Sequence, residues 1–188
     1  SEAKRLALVG CGGMGRRHLR SYQLLEKTEP GTLELAAVID PELDRANYVA
    51  AEAEQIFGAR PQTFRSVGDA AESISELSIV DIVTAVSAHH LVAQDAADAG
   101  LHVLCEKPMA PTIEACRVMQ SASERAGTVL SVAENYRRDP ISRLAQALIA
   151  GGAIGKVRSL LDLSGHGSNR GQAGPWRYLR SEGGPILE

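Results

Sequence analysis

Leu6-Ala7-Leu8-Val9-Gly10-Cys11-Gly12-Gly13-Met14-Gly15 decides the fold of this chain. Four apolar residues in a row read as a buried strand, and the Gly-x-Gly-x-x-Gly turn after them opens a helix predicted over Met14 to Leu25. Strand, glycine turn and helix in that order make the start of a dinucleotide-binding βαβ unit, a context that an isolated glycine pattern lacks. Gly10 permits the tight turn, Gly12 lets the main chain approach a pyrophosphate, and Gly15 lets helix and strand pack closely. The helix N-terminus, which includes Gly13 and Met14, then offers unpaired N–H groups to the anion.

The next apolar run, Leu33 to Ile39, ends in Asp40, near the spacing of about 20 residues at which an acid meets the ribose hydroxyls. Asp40-Pro41-Glu42 also reads as a helix start, and the two roles are compatible. Further strands are predicted at Ile79 to Val86, Val103 to Cys105 and Thr128 to Val132, with a short piece at Thr63-Phe64. Their continuous hydrophobicity suits a parallel sheet covered on both faces. Helices are predicted at Leu43 to Phe57, His89 to Ala99 and Thr112 to Ala126. The expected fold is a Rossmann-type, doubly wound α/β domain over residues 1–134. Residues 135–188 then begin a second α/β unit, with a helix started by Asp139-Pro140, a strand over Lys156 to Leu163 and a glycine-rich loop. That stretch alone is too small for a second core, so either it packs on the first domain or the rest of its domain is missing.

The composition narrows the partners. With 188 residues, 44% of them hydrophobic, the chain can build a core. A net charge of −3 offers no general attraction for nucleic acid or an anionic membrane. Cys11, Cys105 and Cys116 are too scattered for a disulfide framework or a metal pair. No apolar run approaches the ~18 residues of a membrane helix, and Ser1-Glu2 carries no signal peptide, so a cytoplasmic protein is expected. His89 and His90 are adjacent and diverge on a helix, so no metal site is expected.

A second motif places chemistry near the glycine turn. Leu101-His102-Val103-Leu104-Cys105 leads into Glu106-Lys107-Pro108, which delivers a lysine to the end of a strand. Taken with His18, Ala37-Val38-Ile39-Asp40-Pro41, Glu134-Asn135-Tyr136-Arg137-Arg138, Gly155-Lys156-Val157, Pro175-Trp176-Arg177 and Gly183-Gly184-Pro185-Ile186-Leu187-Glu188, the chain resembles the glucose-fructose oxidoreductase/inositol dehydrogenase/MocA family. That resemblance implies an oxidoreductase that moves a hydride between NAD, or NADP, and a sugar, cyclitol or related polyol or carbonyl substrate. The alternative is a non-catalytic sensor or repressor-like module of the same fold.

The resemblance also implies residue roles. Lys107 would contact the reacting oxygen, where a cation stabilises alkoxide character, and the Lys107-Pro108 bond would be cis. Glu106 would position the nicotinamide ribose and Lys107. Asn135 and Arg137 would line the cleft, and Trp176-Arg177 would reach the cofactor, a core Trp beside a surface Arg being the competing account. Ser87-Ala88 stands where the family has Thr-Pro, leaving Ser87 and His89 as the candidate cofactor contacts there. The family's proton-exchanging histidine follows the segment that this sequence matches as far as Glu188, and His166 does not fit that motif. The resemblance therefore implies the N-terminal portion of a longer enzyme, with residues 135–188 the truncated start of its substrate or oligomerisation domain, and a complete protein that is a homo-oligomer, a dimer or tetramer.

Overall fold

The computed structural model describes residues 3–161. Six parallel strands form one sheet in the order β3-β2-β1-β4-β5-β6. They are β1 (Lys4–Val9), β2 (Leu33–Ile39), β3 (Gln62–Phe64), β4 (Leu77–Ile82), β5 (His102–Glu106) and β6 (Leu130–Ala133). The helices between them are α1 (Gly13–Thr28), α2 (Leu43–Phe57), α3 (Val67–Ser73), α4 (His89–Asp98) and α5 (Ile113–Ala126), with α6 (Pro140–Ala150) following the sheet. This is the expected doubly wound architecture. The strand order reverses between β1 and β4, and a crevice opens there at the strands' C-terminal ends.

Successive strand residues face opposite sides of the sheet, which explains the unbroken apolar runs. Leu8 and Val38 pack with Leu19 of α1 and with Ala46, Val49, Ala50 and Ala53 of α2. Ala7, Val9, Ile39, Val80 and Ile82 pack on the other face with Ala93 and Ala96 of α4 and Met119 of α5. The alanine stripe of α2 removes bulk from that helix's inner face and lets it lie close to β2.

Helix starts are built from side chains that take up free main-chain N–H groups. Ser66 accepts from Asp69, Thr112 from Ala115 and Asp139 from Ser142 at the starts of α3, α5 and α6. Helix α3 was not among the predicted elements; its signal is the Ser66-x-x-Asp69 spacing, which Gly68 obscures.

Two expectations need correction. The fourth strand ends at Ile82, and Val86–Ala88 forms a 3-10 turn closed by Ala88 N–H on the Ala85 carbonyl at 2.9 Å. Apolar composition alone does not separate a strand from the buried turn that follows it. No strand forms over residues 156–161, and Leu160 and Leu161 are 87% and 81% exposed. A strand exists only as part of a hydrogen-bonded ladder, and no described residue pairs with this stretch. The remaining residues of that expected strand, with His166, Trp176, Arg177 and the Gly183 to Glu188 motif, lie outside the described residues. Helix α6 forms as expected, and its apolar residues Ile141, Leu144, Leu148 and Ile149 are exposed.

The difference between sheet core and α6 is measurable by urea unfolding of the 188-residue chain. Leu8→Ala, at a site with no exposure, is expected to cost about 2–5 kcal/mol. Leu144→Ala, at a site 59% exposed, is expected to change stability by less than about 0.5 kcal/mol.

Candidate functional site

The glycine turn sits at the end of β1, on the β1/β4 crevice. A Cβ on Gly10, whose φ is +104°, would meet the Val83 carbonyl oxygen at 2.7 Å, and one on Gly15 would collide with the Gly10 carbonyl oxygen. The protein's own packing therefore demands glycine at both positions. Gly12 differs: it is exposed, and a Cβ there would meet nothing within 4 Å. Its front is open to whatever occupies the crevice, and the same holds for Gly13. Gly12 is also the N-cap of α1, which has no side-chain cap and no acidic residue in its first turn. Main-chain N–H groups at that end are left for an anion, and Gly13, Arg16, Arg17 and Arg20 line a basic groove beside it. These features fit a bound dinucleotide pyrophosphate.

Asp40 closes the other side of the turn. It is 7% exposed, and its two oxygens accept from the main-chain N–H groups of Cys11 and Glu42, both at 2.9 Å. The carboxylate thus ties the glycine turn to the start of α2 while each oxygen retains capacity for a further donor. Burial, then the charge of Asp40, pushes the Cys11 thiol up to about 12, although Arg45 pulls the other way. Cys11 is therefore a packed side chain and not a nucleophile. Arg45 itself pairs with Glu42 at 3.0 Å.

Across the crevice, β5 ends in Glu106, and the Lys107-Pro108 bond is cis as the resemblance implied. Lys107 is partly buried and makes no ion pair among the described residues. His89 is 1% exposed, and its ring nitrogens face the Pro108 carbonyl at 3.1 Å and the Thr84 carbonyl at 3.2 Å. It links the turn after β4 to the Glu-Lys-Pro turn, and both nitrogens are engaged by main chain. Ser87 lies in the 3-10 turn at the same rim, while Asn135 and Arg137 lie exposed in a second 3-10 turn after β6. The described residues contain no group of His, Cys, Asp or Glu arranged to hold a metal ion. None of their helices is long and apolar enough to cross a membrane.

Sequence reasoning missed the charge network beneath α1. Asp81 lies inside the sheet at 0% exposure, on β4 between Leu8 of β1 and Leu104 of β5. One of its oxygens, Oδ2, takes His18 Nδ1 at 2.7 Å and also accepts from the Tyr22 hydroxyl. His18 and Tyr22 are four residues apart and so share one face of α1. The other ring nitrogen, His18 Nε2, lies 3.7 Å from Glu106 Oε1. Burial alone would push the His18 imidazole down, but contact with Asp81 and Glu106 outweighs it and raises the group to about 9. Burial would push the Glu106 carboxyl up, yet His18, the Lys107 main-chain N–H and the Lys107 charge hold it below its ordinary value. Burial and Asp81 both push the Tyr22 hydroxyl up, so it remains a donor. The only sequence signal was an acid inside an apolar run, Val80-Asp81-Ile82, with His18-x-x-x-Tyr22 on the first helix.

Known proteins share this fold. Residues 4–134 match the family model described as an oxidoreductase family with an NAD-binding Rossmann fold. A D-apiose dehydrogenase from Paraburkholderia graminis is 35% identical over 79% of this chain and 37% of its own length. A levoglucosan dehydrogenase from Pseudarthrobacter phenanthrenivorans is 34% identical over 95% of this chain and 46% of its own length. The solved structure of a levoglucosan dehydrogenase complex with NADH and levoglucosan superposes with a TM-score of 0.69 at 32% identity, covering 82% of this chain and 41% of that one. The chain thus spans less than half the length of these relatives.

The His18 network sets a pH dependence of stability. Raised from 6.5 to about 9 in the folded state, His18 contributes stability that is fully present below 6.5 and lost as pH rises through about 9. At about 1.4 kcal/mol per pH unit, the loss reaches about 3 kcal/mol. Urea midpoints between pH 6 and 10 are expected to fall more steeply for the native chain than for His18→Gln. Parallel curves would show that His18 is not held charged in the fold.

Proposed function

The chain belongs to the oxidoreductase family with an NAD-binding Rossmann fold, and from that premise we propose that it is the cofactor-binding part of an NAD-dependent dehydrogenase acting on the CH–OH group of a sugar, cyclitol or related polyol. The observation that carries the reading is the pairing, across one strand switch point, of an open-fronted Gly12 turn with the Glu106-Lys107 end of β5. Relatives named for the oxidation of apiose, levoglucosan and inositol support the substrate class.

In this reading the N–H groups of Gly12, Gly13 and Met14 hold the pyrophosphate, with Gly10 and Gly15 shaping the turn. Asp40 accepts the adenosine ribose hydroxyls, which favours NAD, because a 2′-phosphate would meet a buried carboxylate. NADP remains the poorer ligand, since Arg45, the cation nearest in sequence, is already paired with Glu42. Glu106 accepts hydroxyls of the nicotinamide ribose, and Lys107 holds the substrate oxygen. The bound cofactor supplies hydride acceptance. Lys107 steadies the negative charge that develops on the substrate oxygen, a role that suits a cation in a partly water-excluded turn. His89 fixes the turn that carries Lys107, with Ser87 at the rim. Asn135 and Arg137 border the substrate side, and Trp176-Arg177 reaches toward the cofactor.

Residues 1–134 form the cofactor domain, and the stretch from 135 onward begins the substrate and oligomerisation domain of a homo-oligomer. The apolar face of α6, exposed here, supports that division. Three free cysteines support a cytoplasmic, reducing compartment, and a net charge of −3 supports a small-molecule substrate over a nucleic-acid or membrane partner.

Fluorescence titration of the chain with NADH and NADPH tests the cofactor assignment. Tighter NADH binding is expected, Asp40→Ser should narrow or reverse the preference, and tighter NADPH binding by the native chain would sink it. In a protein of the relatives' length, Lys107→Met is expected to lower turnover roughly 10²–10⁴-fold with NAD affinity changed only a few-fold. Near-normal turnover would remove Lys107 from the reaction.

A further inference from the structure

We propose that His18 is a positioning residue for the nicotinamide half of the site, fixing the Glu106 carboxylate, and through it the Lys107 turn, against the glycine-turn helix. The inference rests on the nucleotide-binding reading above. Packing does not explain the network. Asp81 occupies a sheet interior where Val or Leu would avoid burying a charge, and its Oδ1 has no hydrogen-bond donor among the described residues. Breaking such a pair from one side destabilises a fold, but replacing the whole network with apolar residues would cost it little, so stability alone does not account for the carboxylate.

The geometry points to alignment instead. Asp81 takes hold of His18 Nδ1 at 2.7 Å, which aims Nε2 at Glu106 Oε1, 3.7 Å away. His18 belongs to α1, whose N-terminus carries the pyrophosphate turn, whereas Glu106 and Lys107 terminate β5. One imidazole therefore bridges the two elements that grip opposite halves of a dinucleotide. Tyr22 reaches Asp81 from the same helix face, and no contact joins it to Glu106. The titratable and charged groups gathered on His18 are Asp81 of β4, Tyr22 of its own helix, and Glu106 with the adjoining Lys107 at the end of β5; Cys105 stands beside the two acids.

Two probes separate the halves. ADP engages only the glycine turn and Asp40, whereas NADH also engages Glu106. In the 188-residue chain, His18→Gln is expected to weaken NADH roughly tenfold, the effect of losing one charge-assisted contact, while ADP affinity changes less than about twofold. Glu106→Gln, which also alters the group that meets the ribose, should weaken NADH at least as much, and the double variant should be no worse than Glu106→Gln alone, since the link from His18 is already broken there. Tyr22→Phe should lower the urea midpoint and leave the ratio of NADH to ADP affinity unchanged. Equal weakening of NADH and ADP by His18→Gln, additive single effects, or no change in NADH binding would overturn the proposal. Failure of the native chain to bind either probe would instead overturn the nucleotide-binding reading itself. If His18→Gln does not fold, the native chain decides: NADH affinity should fall as pH rises through about 9 while ADP affinity stays level, and parallel profiles would overturn the proposal.

Discussion

The closeness of α1 to β1 is the constraint on which the remaining architecture depends. At Gly15 a single Cβ would run into the Gly10 carbonyl oxygen, so the helix lies at the lowest height that a main chain allows. Only at that height do side chains one and two turns further along reach the sheet, where His18 and Tyr22 meet Asp81. On the outward flank of the same helix, Arg16 forms a two-pronged pair with Glu52 of α2 at 2.7 and 2.8 Å. It also lies over the Tyr48 ring, 5.4 Å from its centroid. Lifting the helix by the width of a methyl group would loosen both links together, and with them the direction in which the helix N-terminus points.

Two acids are buried along this edge of the sheet, and they are satisfied differently. Asp40 is held by main-chain N–H groups from two segments, so its position is set by the backbone. Asp81 is held by the side chains of one helix, one of which titrates. The Asp40 side of the crevice is therefore rigidly defined by the chain's path, while the Glu106 side depends on a charge. Glu106 follows that charge, since His18 and the Lys107 main-chain N–H together keep it ionised against the pull of burial.

What could be read from the sequence follows from the range of the forces involved. The glycine requirement at Gly10 and Gly15 and the acid at Asp40 were legible because they are local: a positive φ, a close helix–strand approach, and an acid at a strand end. The parallel sheet was legible because burial on both faces leaves unbroken apolar runs. Asp81 was not legible as a site, since its partners are 59 and 63 residues away and meet it only after α1 has packed. The resemblance drew attention to His18 as part of a motif without indicating what it touches. His89 was read as a cofactor contact from its position after β4; its two main-chain partners, Thr84 and Pro108, become visible only once β4 and β5 lie side by side.

The stretch from Lys156 onward shows the converse limit. Val157, Leu160 and Leu161 have a composition that suits a strand, and Gly155, at φ +68°, supplies a turn before them. Yet residues 156–161 are exposed and form no ladder with any other described residue, because strand propensity describes how a side chain fits a pleated, half-buried surface and supplies neither the ladder nor the neighbour. Helix α6 reached its form without such help, since its hydrogen bonds are internal and Asp139 and Pro140 supply its start. A helix can thus be built from nearby residues while its apolar face awaits a partner, whereas a strand must find its partner before it exists. That asymmetry explains why the reading of this chain succeeded for α6 and failed for the run that follows it.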